Sequence, residues 1–257
     1  MSANLAPNAT IAARADMTDT LCAFTFALDS ALGEFKPGQY VSLGVAESGG
    51  LTQRPYSIVS VDDSGRWLEL FIRRVRDGAL SGRLWPLAVG SRVRVGPARG
   101  LFALDPADQR ERLLIGTGTG LAPLLAMLES MALRGDTTRA VLIHGVSYQD
   151  ELAFGERVQG WVEGGLPIDY LPAVSRPDDP RNASWPGLVG RADAILGRVL
   201  AEWPSTRGGV AYMCGNPDMV EACSKVLADA GFVDSDIRAE KFHAPPARPR
   251  AQTAVSQ

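Results

Sequence analysis

The rhythm of apolar and polar positions changes once along this chain. Up to residue 104 the apolar positions fall in short runs, many of them alternating with polar ones: Leu21 to Leu28, Tyr40 to Val45, Tyr56 to Val61, Trp67 to Ile72 and Arg92 to Gly96. Alternation at period two sends every second side chain to one face, the pattern of a half-buried strand. Turn residues separate the runs, Pro37-Gly38 and Gly49-Gly50 among them. One helical stretch, Ser81 to Leu87, follows Asp77-Gly78. Short strands at even spacing predict a closed antiparallel barrel over residues 1–104.

The segment Asp105 to Arg112 is charged, contains proline and is poor in large apolar residues, so it reads as a linker. Beyond it short apolar runs alternate with helical patterns. Leu113 to Ile115, Val141 to Ile143, Ile168 to Val174 and Val210 to Met213 read as strands. Gly120 to Leu133, Glu151 to Val162, Ala192 to Leu200 and Asp218 to Ala230 read as helices. Such alternation predicts a parallel sheet with helices on both faces over residues 110–243. The fold class expected is therefore two-domain, an antiparallel β-barrel followed by an α/β domain. Residues 244–257, rich in proline and polar side chains, read as an irregular C-terminal extension. No internal repeat is visible.

Composition narrows the function classes. A length of 257 residues suits two ordinary domains, and 46% apolar residues can furnish a core for each. The net charge of −3 argues against a dedicated nucleic-acid binder. The charge is uneven, with 11 Lys+Arg against 9 Asp+Glu in residues 1–103 and 15 against 20 in the remainder. A slightly basic first half suits an acidic partner, and ordinary surface variation accounts for it equally well. Cys22, Cys214 and Cys223 are too few for the four-thiolate cage of an iron–sulfur cluster and do not suggest a disulfide framework. His144 and His243 lie far apart without metal-ligand spacing, so no metal site is assigned. No apolar run spans a bilayer and the N-terminus has no signal-peptide pattern, so a cytoplasmic, soluble monomer is expected.

Candidate chemistry gathers at strand ends. Gly116-Thr-Gly-Thr-Gly120 follows a strand and opens a helix, where unobstructed backbone N–H groups cradle an anion. It is neither the dinucleotide fingerprint, since Leu121 stands where the third glycine belongs, nor a P-loop. A glycine turn without a ligand is its other reading. In Arg54-Pro-Tyr-Ser57 the Arg can grip a phosphate, and Tyr56 lies on the same strand face with a ring able to stack on a flavin. By itself this segment reads more simply as a surface Arg beside a half-buried Tyr. The amides of Ala79 to Ser81, after Asp77-Gly78, face a second phosphate oxygen or else form a helix start capped by Asp77. Cys214-Gly-Asn-Pro217 ends a strand, placing Cys214 at a tip next to Thr117, with a buried small hydrophobe as the simpler alternative. Ser175-Arg176 and Gly190-Arg191 offer two arginines for a 2′-phosphate, or solvated loop charge.

In this order, these segments resemble the plant-type ferredoxin–NADP(+) reductases in their bacterial form, from about Ala13 to His243. The resemblance implies an FAD-binding barrel and an NADP-binding α/β domain. By matching position, Arg54 with Pro55 would hold the FAD pyrophosphate, Tyr56 would stack on the isoalloxazine and Ser57 would bond near its N5. Phe71, Ile72 and Arg73, with Ala79, Leu80 and Ser81, would line the flavin and its pyrophosphate, and Thr119 would touch flavin or nicotinamide. For NADP the resemblance assigns Thr117, Gly118, Ser147, Ser175, Asn216, Pro217 and Asp218, with Arg176 and Arg191 on the 2′-phosphate. Cys214 would border the nicotinamide carbon that gives up hydride. Phe242, in Ala239-Glu-Lys-Phe-His243, would cover the second flavin face and move aside for the nicotinamide. Tyr56, Ser57, Cys214 and Phe242 form the expected catalytic set. Two departures stand out. Many bacterial relatives have an arginine where this chain has Ser147-Tyr148, so one 2′-phosphate contact is expected to be missing, and the chain continues past the stacking aromatic.

The implied activity is ferredoxin (or flavodoxin)–NADP(+) reductase: hydride passes from NADPH to flavin N5, and electrons leave singly for a carrier protein. Arg73, Arg74, Arg76 and Arg83 are the expected docking charges. Two alternatives remain: another flavin or oxygenase reductase, which in fused form would add a cysteine-ligated cluster, and a non-enzymatic nucleotide-binding module.

Overall fold

The computed structural model describes residues 6–47 and 50–242, so the expected extension over 244–257 lies outside the described residues. Strands β1 (Ala9–Thr18), β2 (Leu21–Leu28), β3 (Tyr40–Glu47), β4 (Gly50–Val61), β5 (Trp67–Arg73) and β6 (Arg92–Val95) close into a barrel in the order β1-β2-β5-β4-β3-β6. Every neighbouring pair is antiparallel. Alternating residues fill its centre, Phe24, Phe26, Ile58, Leu70 and Ile72 among them, all fully buried. The helix expected over Ser81 to Leu87 is the single turn α1 (Ser81–Leu84).

The second half is a six-stranded parallel sheet of β7 (Arg112–Thr117), β8 (Ala140–Val146), β9 (Ile168–Val174), β10 (Leu188–Val189), β11 (Val210–Gly215) and β12 (Ile237–Lys241). Its order is β10-β9-β8-β7-β11-β12, so the chain builds outward on one side of β7 and then restarts on the other. A crevice opens where the order reverses, beyond the carboxyl ends of β7 and β11. Helices α2 (Leu121–Leu133) and α3 (Gly155–Glu163) pack on one face, and α4 (Ala192–Glu202) and α5 (Pro217–Asp229) on the other. The helix expected from Glu151 begins at Gly155, because Gln149–Glu151 form a separate 3-10 turn. Arg112, expected in the linker, is the first residue of β7. It is fully buried, held 3.2 Å from Asp136 and 2.6 Å from the Asp108 carbonyl.

Helix α2 joins the halves. It is apolar nearly all round, and residues from Leu121 through Leu128 are buried, because sheet lies on one side and barrel on the other. Its Leu124 and Leu128 share one core with Leu21, Val59, Phe71 and Phe102 of the barrel and Leu114, Leu142 and Tyr212 of the sheet. The two domains thus meet through continuous apolar packing, and the crevice faces the barrel wall.

Candidate functional site

Two cavities of about 580 Å³ each lie side by side and share Arg73, Thr119 and Phe242. The first is set in the barrel wall. Strand β4 supplies Arg54, Pro55, Tyr56 and Ser57, and β5 supplies Phe71 and Arg73. Tyr56 is half-buried, and burial pushes its phenol up to about 12. The Ser57 side chain is buried, and its hydroxyl has no hydrogen-bond partner among the described residues. A buried hydroxyl without a partner costs about 1–3 kcal/mol unless a ligand satisfies it, so Ser57 fits a bound group with a polar edge at this point.

The turn after β5 closes the same cavity with Gly78, Ala79, Leu80 and Ser81. A Cβ on Gly78 would lie 2.5 Å from Ser81 Oγ and 2.9 Å from the Val75 carbonyl, so only glycine lets the backbone approach this closely. The Ser81 hydroxyl accepts from Val75 N at 3.0 Å, pinning the turn. Asp77 does not cap the helix: it sits at the turn with φ 58, and Leu80 occupies the cap position without a side-chain bond.

The second cavity lies at the strand tips. Gly116 pairs with Cys214, so the Thr117 and Cys214 strand ends are neighbours. Gly118 adopts φ +55, which reverses the chain into the helix start. A Cβ on Gly120 would overlap the Cys214 carbonyl oxygen, so this glycine permits the close approach of α2 to β11. Thr117, Gly118, Ser147, Ser175, Asn216 and Asp218 all line the cavity, and Arg176 and Arg191 stand on its wall. Several of these groups already have partners. Asn216 Oδ1 accepts from Asp218 N at 2.7 Å and caps α5, Ser175 Oγ donates to the Val146 carbonyl at 3.1 Å, and Arg191 lies 3.2 Å from Asp193.

Three expected residues are not on either wall. Ile72 points into the barrel core with Leu68 and Leu70, because only alternate residues of β5 face outward. Cys214 is fully buried and lies in the shared core with Tyr212, two positions earlier on the same face of β11. Pro217, at the first turn of α5, serves the helix start. Phe242 is half-buried at the junction, held by its N–H to the Gly215 carbonyl at 2.8 Å.

The structure adds residues that were not singled out. Glu240 lines the first cavity and pairs with Cys214 across β11 and β12. Burial raises its carboxyl, and burial first, then the Glu240 charge, pushes the Cys214 thiol well above its usual range. Its only sequence signal was its position two residues before Phe242. Arg181 lies over the Tyr148 ring at 3.6 Å and pairs with Asp150 at 2.6 Å, and Arg176 donates to the Tyr148 hydroxyl. Arginine is therefore present beside Tyr148, brought from a later loop.

Comparison with known proteins places this geometry. The oxidoreductase FAD-binding domain model matches residues 8–103, and the oxidoreductase NAD-binding domain model matches residues 114–225. Ferredoxin–NADP reductase B of Sorangium cellulosum is 30% identical over 81% of this chain and 85% of its own length. This chain belongs to the ferredoxin reductase family. Its first half is the FAD-binding domain of a flavoprotein oxidoreductase, and its second half binds the nicotinamide nucleotide. A ferredoxin NADP+ reductase from Neisseria gonorrhoeae, solved with bound FAD and NADP, superposes with a TM-score of 0.77 at 27% identity, over 91% of this chain and 97% of that one. The reductase subunit of an aromatic O-demethylase from Amycolatopsis is 36% identical over 81% of this chain. The chain spans 61% of that relative's length. No helix among the described residues is long and apolar enough to cross a membrane.

Proposed function

We propose that this member of the ferredoxin reductase family takes hydride from NADPH and delivers electrons singly to an acceptor protein. The carrying observation is the junction: one cavity built for an aromatic ring system and one built for a polar anion share Arg73, Thr119 and Phe242. FAD bound in the first supplies the chemistry, accepting two electrons together and releasing them one at a time.

The residues of the chain do the holding. Arg54 grips the pyrophosphate, the turn Gly78 to Ser81 presents its backbone, and Ser57 donates to or accepts from the flavin edge. Tyr56 and Phe242 cover the two ring faces. Phe242 must swing away for the nicotinamide to stack, at a cost of about 1 kcal/mol for the lost aromatic pair. Arg176 and Arg191 hold the 2′-phosphate, which favours NADP over NAD. Glu240 borders the flavin cavity, with Cys214 buried beside it on β11.

Two acceptors fit. A ferredoxin or flavodoxin is supported by the likeness to the ferredoxin–NADP reductase of Sorangium cellulosum. The catalytic component of an aromatic demethylase system is favoured by the likeness to the O-demethylase reductase subunit. For either, the docking charges reduce to Arg74 and Arg76, which flank the exposed Val75. Arg73 faces inward to Glu151, and Arg83 bonds the Ala79 carbonyl.

An anaerobic titration of the yellow protein tests this. Bleaching of the flavin by NADPH at far lower concentration than by NADH is expected. Equal bleaching by both removes the NADP assignment, and a protein that binds no FAD overturns the reading.

A further inference from the structure

Three side chains on the outer face of β5 meet three from the opposite domain in reverse order. Glu69, Phe71 and Arg73 are two residues apart and so project from one face of the strand. Opposite them stand Arg157, Phe154 and Glu151. Arg157 holds Glu69 with two bonds, at 2.7 and 3.2 Å. Phe154 meets Phe71 edge to face, ring centres 5.0 Å apart and planes at 88°. Glu151 accepts from Arg73 at 2.7 Å. The result is a three-rung clasp of ion pair, aromatic pair and ion pair. Phe154 takes a left-handed backbone, φ 62, to reach its place, a conformation that costs a β-carbon-bearing residue roughly 1 kcal/mol or more.

The two ion pairs differ in where they lie. Glu69 and Arg157 line a separate shallow groove with Glu129, away from both large cavities. Arg73 lines both cavities and Glu151 lines the nucleotide one. Glu151 is buried, and its second oxygen accepts from Ser147 N, on the loop after β8, at 3.3 Å. The Arg73 guanidinium lies 3.5 Å from the point where a Cβ on Gly118 would stand. Glu151 therefore ties the segment beyond β8 to the strand that carries the flavin-side wall, and the Arg73 it holds stands against the glycine loop.

We propose that Glu151 is a positioning residue for hydride transfer, pinning Arg73 at the junction so that the nicotinamide end of the nucleotide and the flavin meet in register. This rests on the functional reading above. The outer rung does the same mechanical work of joining the domains but touches neither large cavity, which makes it the control.

The test compares Glu151→Gln with Glu69→Gln in the full chain. Both remove one carboxylate charge from an Arg–Glu pair across the same interface, and both should lower the melting temperature of the apoprotein by similar amounts. Only Glu151→Gln should slow flavin reduction at saturating NADPH, roughly tenfold, the scale expected for a sub-ångström loss of register. The long-wavelength charge-transfer absorbance between flavin and nicotinamide should fall with it, while the NADP+ dissociation constant stays nearly unchanged. In the apoprotein, phenylglyoxal should label Arg73 faster in Glu151→Gln than in Glu69→Gln, read by mass spectrometry of the Arg73 peptide. Glu151→Asp serves the same comparison if the Gln variant does not fold. Equal behaviour of the two variants, or a change in NADP+ affinity alone, overturns the proposal. Failure of the wild type to be reduced by either nucleotide would count against the functional reading instead, and the labelling comparison stands apart from it.

Discussion

The two cavities match in volume and differ in how they are made. The flavin-side cavity is a surface of regular strands: Arg54 to Ser57 on β4, Phe71 and Arg73 on β5, closed by one tight turn. Much of its wall is ring and aliphatic chain, from Tyr40, Pro55, Tyr56, Phe71 and Leu80, and Ser57 carries a buried polar group with no partner among the described residues. The nucleotide-side cavity is built from loops at strand tips, and most of its charged groups already have partners: Arg191 with Asp193, Arg176 with Tyr148, Glu151 with Arg73. The first arrangement suits a ligand that stays. Its shape is preformed, and an unpaired hydroxyl raises the free energy of the empty state. The second suits a ligand that comes and goes. An arginine that turns to a phosphate there must first leave its partner in the protein, which keeps net affinity moderate.

The largest expected effect separates the cavities at the contact of α2 with β11. Gly120→Ala drives a methyl group into the Cys214 carbonyl oxygen and to 2.7 Å from the Gly215 Cα. Both obstacles are backbone, so α2 must move off β11, at a cost of about 3 kcal/mol or more. Nucleotide binding should be lost while FAD, held mainly by strands, is retained. Calorimetry with NADP+ and the flavin content of the purified variant check this. Loss of FAD with retained nucleotide binding would reverse the assignment of rigid and exchangeable halves.

A smaller effect tests the exchange within the nucleotide cavity. Arg176→Ala should lower the preference for NADPH over NADH about tenfold, equal to about 1.4 kcal/mol. Reduction by NADH should hardly change, since the contact proposed is to the 2′-phosphate alone. An unchanged preference would shift that role to Arg191 or to Arg181, which lies over the Tyr148 ring.

The same contrast governs how much could be read from the sequence. The barrel and the sheet were legible because their strands keep period two or form short apolar runs. Strand β1 was missed: its register shifts between Ile11 and Ala13 and again between Asp16 and Thr18, which breaks the alternation. Strand β12 was missed because Ile237 to Lys241 is a half-exposed edge strand with no apolar run. Parity along β5 already argued against Ile72 lining a site that Phe71 and Arg73 face. The strand segments of the flavin cavity came with a compact motif. On the nucleotide side, Arg181 and Glu151 meet their partners across 31 and 78 residues of sequence. A pairing of that span leaves no local spacing to read. Glu240 was hidden in the strand that went unread.

The smallest effect is the sharpest test of a preformed flavin cavity, because its sign differs between the two states of the protein. Ser57→Ala removes a buried hydroxyl that no described residue satisfies. In the apoprotein nothing is lost and a desolvated polar group is removed, so the melting temperature should hold or rise slightly. In the FAD-bound protein the same change deletes one hydrogen bond of about 1 kcal/mol, and FAD affinity should fall about fivefold. The variant should therefore gain less stability from added FAD than the wild type does. Melting curves with and without FAD read both quantities in one experiment. A fall in apoprotein stability would mean that Ser57 serves the barrel, and the case for a preformed polar contact to the flavin would go with it.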